Sequence, residues 1–362
     1  MNKNKSMVFH LPYEIEENPT GAGGVRPHRM RQAFRDLGYE VVDLSGTKPQ
    51  RRKKVKELKA RLNTGWRPEF MYAENSTMPN VLATSIRDGI NPFFEFSLMH
   101  LLASAGVPLG MFYRDAYWRF PQYRPRGLYG AATVPLNILD MAGYRKNNLH
   151  LFLPSLRMAD VLGLSNPLTW SVLPPAGDPG KALPMPREKL SLLYVGGFKG
   201  HYEMDVFLTA LSEVGNIPMN LVTRKPEWDE TLAAKPHLGF EQLNVMHLSS
   251  YELEPVYAES QVCVLAINPS EYWEFAVPFK LYEYLSYGRP IIAIKGTETG
   301  RTVSELDAGW VVNYKKDEFV RLLEHLRENP EEVQEKAANA RKAAAKNTWL
   351  DRARTVVETL TD

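Results

Sequence analysis

Residues 278–309 read PFKLYEYLSYGRPIIAIKGTETGRTVSELDAG. Pro278 suits the start of a helix, because its fixed φ matches the first turn and its missing N–H would have no helical partner there. Lys280, Glu283 and Tyr284 follow at i, i+3 and i+4. That spacing sets a cation and a carboxylate on one face, near a terminus whose free N–H groups favour anions. Such a face can hold a nucleotide diphosphate; the spacing also allows a plain surface ion pair between Lys280 and Glu283. Tyr287-Gly288 stops the helix and Pro290 opens the apolar run IIAI, which reads as a buried strand laid against the helix just ended.

Outward from this stretch the same alternation continues. The second half predicts strands at 192–195, 220–223, 244–247, 261–266, 290–294 and 310–312, with helices at 202–214, 251–258, 279–287 and 316–326. A polar, Ala-rich and Lys-rich tail over 330–360 reads as two terminal helices. The first half predicts strands at 7–10, 40–44, 69–73, 108–113, 149–153 and 171–173, with helices at 27–37, 51–62, 94–104 and 156–162. Short apolar runs alternating with amphipathic segments give an α/β fold, here two doubly wound, Rossmann-like parallel-sheet domains facing a cleft. The breaker-rich stretch AGDPGKALPMPREK divides them. The expected organisation is a first domain over 1–175, a linker over 176–189, a second domain over 190–345, and a final helix over 346–362 that crosses back to the first domain.

Composition narrows the function. With 44% hydrophobic and 24% charged residues, the 362-residue chain has the balance of a globular protein with room for a core. Cys263 is the single cysteine, which excludes an internal disulfide and Cys-based zinc or iron–sulfur sites. Too few apolar residues precede Pro12 for the core of a signal peptide, and the cytoplasm is the expected compartment. Net charge is only +2, yet residues 1–175 hold 23 Lys/Arg against 14 Asp/Glu, leaving 21 against 28 for the remainder. The front half is therefore expected to meet something anionic. The run KPQRRKKVKELKAR, 48–61, is the densest basic segment, and Val55, Leu58 and Leu62 give it helical amphipathicity; a solvated helix face is the alternative. No recognised nucleic-acid motif accompanies it.

The 278–309 stretch resembles the donor-binding helix of family 4 glycosyltransferases of the GT-B fold, whose pattern runs approximately P-x-K-L-x-E-Y-L-x-x-G-x-P-V-I, then a loop and V-x-E-x-x-x-G. The resemblance implies that Glu283 binds the ribose hydroxyls of a nucleotide sugar and that Lys280 touches the diphosphate. The family often carries a further Glu eight residues earlier, facing the donor sugar. This chain has Phe275 there, with Glu274 as the nearest counterpart. LLYVGGFKGHYEMDVFLTAL, 192–211, resembles the first strand, glycine turn and helix of the donor domain. Gly197 stands where the family usually has an Arg, and Lys199 or Arg224 is the expected replacement on the diphosphate. SVLPPAGD resembles the family's hinge, and NTWLDRARTVVETL its last helix.

In the front half, Gly21, Gly23 and Gly24 precede a helix expected to open at Pro27. They lie too far from the first strand for a dinucleotide fingerprint. The resemblance implies that Gly23 and Gly24 approach the donor phosphates and the acceptor, where only glycine lets the backbone come close, with Arg26 adding charge. Arg114 and Asp115 stand where related enzymes often carry a His-Asp pair facing the acceptor. Tyr117 and Trp118 offer flat faces for a sugar, with core packing as the competing reading. Glu74 and Asn75, after another strand, are further acceptor candidates. Asp115, Lys280 and Glu274 are the expected catalytic groups.

The function so implied is transfer of a sugar from a nucleotide diphosphate sugar to an acceptor hydroxyl, with retention, no metal and no cofactor. No D-x-D, H-E-x-x-H, P-loop or G-x-S-x-G motif occurs. The acceptor would be a carbohydrate, a lipid-linked molecule or a protein. A nucleotide-sugar epimerase of the same architecture and a non-catalytic GT-B partner subunit are the rival readings. The basic front half, the 48–61 run and the mostly apolar stretch 127–144 together can form a peripheral face for an anionic membrane; a buried helix over 127–144 with a solvated charged face is the competing reading.

Overall fold

Both apolar series form six-stranded, all-parallel sheets. The computed structural model describes residues 5–15, 22–80, 93–124, 127–164, 168–186, 189–198 and 202–362. The chain divides into a discontinuous unit, Met1–Pro174 with Trp349–Asp362, and a continuous one, Pro175–Thr348.

In the first unit β1 (Ser6–His10) is buried at all five positions and lies between β2 (Glu40–Asp43) and β3 (Phe70–Glu74). β4 (Leu109–Phe112), β5 (His150–Leu153) and β6 (Trp170–Val172) complete the order β2-β1-β3-β4-β5-β6. The order reverses between β1 and β3, and loops leaving the carboxyl ends of such a pair splay apart and leave room for a ligand. Phe9, Phe34, Phe70, Tyr72 and Phe152 form a continuous ring cluster beneath it, with centroids 5.4 to 6.5 Å apart.

α1 (Ala22–Asp36) begins five residues before the expected start, so Gly23 and Gly24 are its first turn and Pro27 lies inside it. Pro27 has no N–H for the Gly23 carbonyl; Arg114 Nη1 donates to that oxygen instead, at 3.1 Å. α2 (Lys48–Asn63) is capped by Thr47 and Gln50, and α3 (Phe94–Ser104) follows β3. The mostly apolar stretch 127–144 lies within the helix α4 (Gly127–Lys146). Its pattern is inverted: Thr133, Asn137, Asp140 and Tyr144 point inward, while Ile138 and Leu139 are exposed. The inward stripe is polar because it meets polar groups: Asn80 N–H donates to Asp140 at 2.8 Å, and Tyr113 Oη to Asn137 at 3.3 Å. α5 (Arg157–Leu162) follows β5.

The second unit has the order β12-β11-β10-β7-β8-β9. In chain order it runs β7 (Leu192–Val195), α6 (Asp205–Val214), β8 (Met219–Val222), α7 (Lys225–Ala234), β9 (Leu243–Met246), α8 (Leu253–Glu259) and β10 (Val262–Leu265). α9 (Phe279–Ser286), β11 (Ile291–Ile294), α10 (Glu298–Glu305), β12 (Gly309–Val312), α11 (Lys316–Glu328) and α12 (Pro330–Ala345) follow. Here the order reverses between β7 and β10. Residues 177–185 have partners within this unit. The Gly177 N–H reaches Asn347 O, and the fully buried Arg289 donates to Leu183 O at 3.1 Å and Pro184 O at 2.9 Å. The last helix, α13 (Trp349–Thr361), packs on α1, β3 and β4 of the first unit. Gly110 admits it, since a Cβ there would lie 2.8 Å from Leu360 Cδ1.

Candidate active site

In the second unit the site grows from the reversal between β7 and β10. α9 is tied to the end of β7 by Val195 N–H donating to Tyr284 Oη at 2.9 Å. This places Lys280, in the first turn of α9, along the Gly196 backbone. Gly196 has φ +139°, and a Cβ there would lie 2.1 Å from Lys280 Cε, so both the turn and the close approach require glycine. Lys280 Nζ donates to Tyr194 Oη at 2.6 Å and stands 4.3 Å from the Tyr194 ring centroid and 3.9 Å from that of Tyr202. No described carboxylate pairs with it. Burial pushes its pKa down to about 7; Glu283 and Glu227 pull it partly back up, and Arg224 adds to the depression.

Glu283, one turn along α9, does not pair with Lys280, which removes the surface ion-pair reading. Its carboxylate receives no hydrogen bond from the described residues. Burial pushes its pKa up, against the pull of Lys181 and then Lys280. A cation without a carboxylate and a carboxylate without a donor thus share one face of a buried helix, an arrangement completed by a ligand carrying both an anion and hydroxyl groups.

Arg224 caps α7 and is exposed; its guanidinium pairs with Glu227, which also accepts the Phe198 N–H at 2.9 Å. A Cβ on Gly197 would lie 3.9 Å from Arg224 Nη1, so Arg224 stands beside the position where the resembled family has its arginine. Lys199 lies outside the described residues. Glu274 ends a short 3₁₀ turn, Glu271–Glu274, with its side chain exposed and its carbonyl accepting from Arg301, while Phe275 is buried. Sequence reasoning missed Tyr194 and Tyr202, which read as core aromatics, and Arg301, which is held by Glu298 at 2.9 Å in the first turn of α10.

In the first unit the loops after β1, β3 and β4 and the first turn of α1 enclose a cavity of about 310 Å³ whose lining includes Tyr13, Gly23, Gly24, Ser76, Thr77 and Arg114. Arg114 donates to Tyr13 Oη at 2.9 Å and to Glu74 at 3.2 Å, and Asn75 Oδ1 accepts its backbone N–H at 2.8 Å. Four expected contact residues are internal instead, among them Asn75, which is buried beneath Arg114. Arg26 is 4% exposed, stacked 3.4 Å from the centroid of Phe112, bonded to Pro174 O at 3.2 Å, and 3.4 Å from Glu74. Glu74 is fully buried, shared by Arg26, Arg114 and Tyr72 Oη, so it orients Arg114 from behind. Trp118 is buried and donates to Tyr113 Oη at 2.9 Å, which makes it core. Tyr117 is half-buried, edge-on to Tyr123. Asp115 is half-buried and accepts the Ala116 N–H at 2.7 Å. Among the described residues no group of three or more His, Cys, Asp or Glu could hold a metal ion.

Residues 189–329, most of the second unit, match the family described as glycosyl transferases group 1. Over nearly its whole length the chain is similar to solved structures. Against sucrose-phosphate synthase from Thermosynechococcus elongatus the TM-score is 0.66 at 13% identity, covering 99% of this chain and 98% of that one. Against Anabaena HepE in complex with UDP it is 0.65 at 12% identity, covering 99% of both. WaaG, a glycosyltransferase involved in lipopolysaccharide biosynthesis, gives 0.60 at 15% identity, covering 98% of this chain and 99% of that one. No curated protein sequence matches the chain. The chain therefore has the fold of GT-B glycosyltransferases, and residues 189–329 carry the sequence of the glycosyl transferases group 1 family.

Proposed function

We propose that this chain moves a glycosyl group from a nucleoside diphosphate sugar to an acceptor hydroxyl, with retention and without a metal ion. The observation that supports it most is the pair on α9: Lys280, caged by Tyr194 and Tyr202, and the half-buried Glu283, the first with no carboxylate partner and the second with no donor among the described residues. Lys280 and Arg224 would take the diphosphate and Glu283 the ribose hydroxyls. Arg114 and Asp115 would hold the acceptor. The acceptor oxygen forms the new bond to the anomeric carbon as that carbon's bond to the diphosphate breaks. The hydroxyl proton passes to a phosphate oxygen of the leaving group, so no protein base is needed. The protein then mainly neutralises the leaving group and positions two substrates, and loss of one such charge typically lowers kcat about 10²- to 10³-fold.

HepE is described in complex with UDP-glucose as well as UDP, which makes UDP-glucose the first donor to test. Calorimetric titration with UDP, GDP and ADP identifies the base. Nuclear magnetic resonance of the anomeric proton in the first product then reads the stereochemistry. Failure to bind any of the three nucleotides would overturn the enzymatic reading and favour a non-catalytic subunit, while an inverted product would overturn retention alone.

A further inference from the structure

We propose that the outer face of α2, α3 and α4 docks onto an anionic lipid bilayer. The three helices lie side by side on one face of the first sheet. The Arg51 guanidinium of α2 pairs with Glu95 of α3 at 2.6 Å and lies 4.9 Å from the Phe94 ring centroid. A Cβ on Gly143 of α4 would lie 2.2 Å from Phe96 Cε1 of α3, so α3 and α4 meet without a gap. Right-handed crossovers β2-α2-β3, β3-α3-β4 and β4-α4-β5 all run in the same direction along the sheet, which puts all three on the same side, opposite α1 and α13.

Their outward side chains combine two properties that soluble surfaces keep apart. On α4 the inward stripe is polar and the outward one apolar: Ile138 is 56% and Leu139 44% exposed, with Pro135 and Ala142 exposed on the same side. Phe93, at the head of α3, is 66% exposed. On α2 the buried Arg51 is structural, and Lys54 is bonded to Ser45 O. Arg52, Lys53, Lys56 and Lys59 are exposed and have no carboxylate partner among the described residues. Arg145 and Lys146 extend the charge at the end of α4. Glu57 is the one exposed acid on the three helices. A water-facing apolar strip flanked by cations matches the interface of an anionic leaflet, where the apolar residues enter the headgroup boundary and the cations meet lipid phosphates. No helix among the described residues is long and apolar enough to cross a membrane. A second copy of this chain would bring the same cations against one another, so charge complementarity favours lipid.

Sedimentation of the full chain with phosphatidylcholine vesicles, with and without phosphatidylglycerol, tests this apart from any sugar transfer. The protein is expected to sediment with the anionic vesicles at low salt and to partition at least about tenfold less at high salt. Ile138→Ser with Leu139→Ser, and separately Lys53→Glu with Lys56→Glu, should each weaken partitioning about fivefold or more while leaving the circular dichroism melt unchanged. Both pairs are exposed and outside the donor and acceptor sites. Equal sedimentation with neutral vesicles, or folded variants that bind anionic vesicles as the parent does, would overturn the proposal. So would a dimer in solution that the Ile138/Leu139 pair of substitutions disperses, since that assigns the face to a second copy.

Discussion

With Lys280 on the donor diphosphate, as proposed above, donor affinity becomes a function of pH in a range where that diphosphate diester keeps its charge. Burial depresses the Lys280 ammonium to about 7. Only the protonated form can neutralise a diphosphate, and a bound diphosphate raises the pKa again. Apparent affinity therefore follows the protonated fraction of the free enzyme, and above pH 7 it falls about tenfold per unit, each unit being worth about 1.4 kcal/mol. From pH 6 to pH 9 the protonated fraction drops from about nine-tenths to about one-hundredth, an expected loss of roughly 90-fold in affinity. UDP-glucose is the appropriate ligand, because its diphosphate diester keeps a constant charge over that interval while the terminal phosphate of UDP does not. At pH 7 binding should take up about half a proton, read as a buffer-dependent heat in titration calorimetry. Lys280→Met keeps an apolar stem between Tyr194 and Tyr202 and should bind about 10- to 100-fold more weakly at pH 6, as expected for a lost charge-assisted hydrogen bond, with a flat pH profile. Equal affinity at pH 7 and pH 9 in the parent enzyme, or an unchanged slope in Lys280→Met, would refute the assignment.

Three other outcomes follow from the same geometry. Glu283→Ala should weaken UDP about tenfold or more, and a 2′,3′-dideoxy nucleotide should bind parent and variant alike, since the partner hydroxyls are then missing from both. Gly196→Ala forces a Cβ into Lys280 at a backbone angle that disfavours side chains, so kcat/KM should fall at least about 100-fold while the folded state persists. Glu74→Ala leaves the guanidinium groups of Arg26 and Arg114 without their shared carboxylate, and urea unfolding should show a loss of about 3 to 5 kcal/mol; a change below about 1 kcal/mol would show that Glu74 does not hold the two arginines.

How legible each part was in the sequence depended on what the side chains face. Strands such as IIAI at Ile291–Ile294 are enclosed on both faces and read as unbroken apolar runs. α9 was legible because proline, glycine and a one-sided apolar pattern mark its ends and its inner face. α4 was legible only as a competing reading, because its buried stripe is polar and its exposed one apolar, the reverse of the usual rule. α7 buries only Trp228, too little for a period to show, and α10 spans eight residues with a glycine inside. At the site, the charge types of Lys280, Glu283 and Arg114 were readable, but their partners were not. The contact between Arg26 and Glu74 joins residues 48 positions apart in the chain, and no local pattern announces that an arginine beside a glycine turn will be internal.

The membership of Trp349–Asp362 in the first unit carries a consequence for biosynthesis. The Gly110 surface and the Pro174 carbonyl acquire Leu360 and Arg352 only when the end of this sequence has left the ribosome. Domains made in one continuous piece ordinarily fold in the order of their translation. Here Trp349–Asp362 follows Pro175–Thr348 in the chain, so the helix over β3 and β4 of the first unit is translated only after the whole second unit. A chain truncated before Trp349 would therefore keep every element of the second unit while the first unit lacks its cover over β3 and β4, leaving apolar surface there for chaperones to recognise.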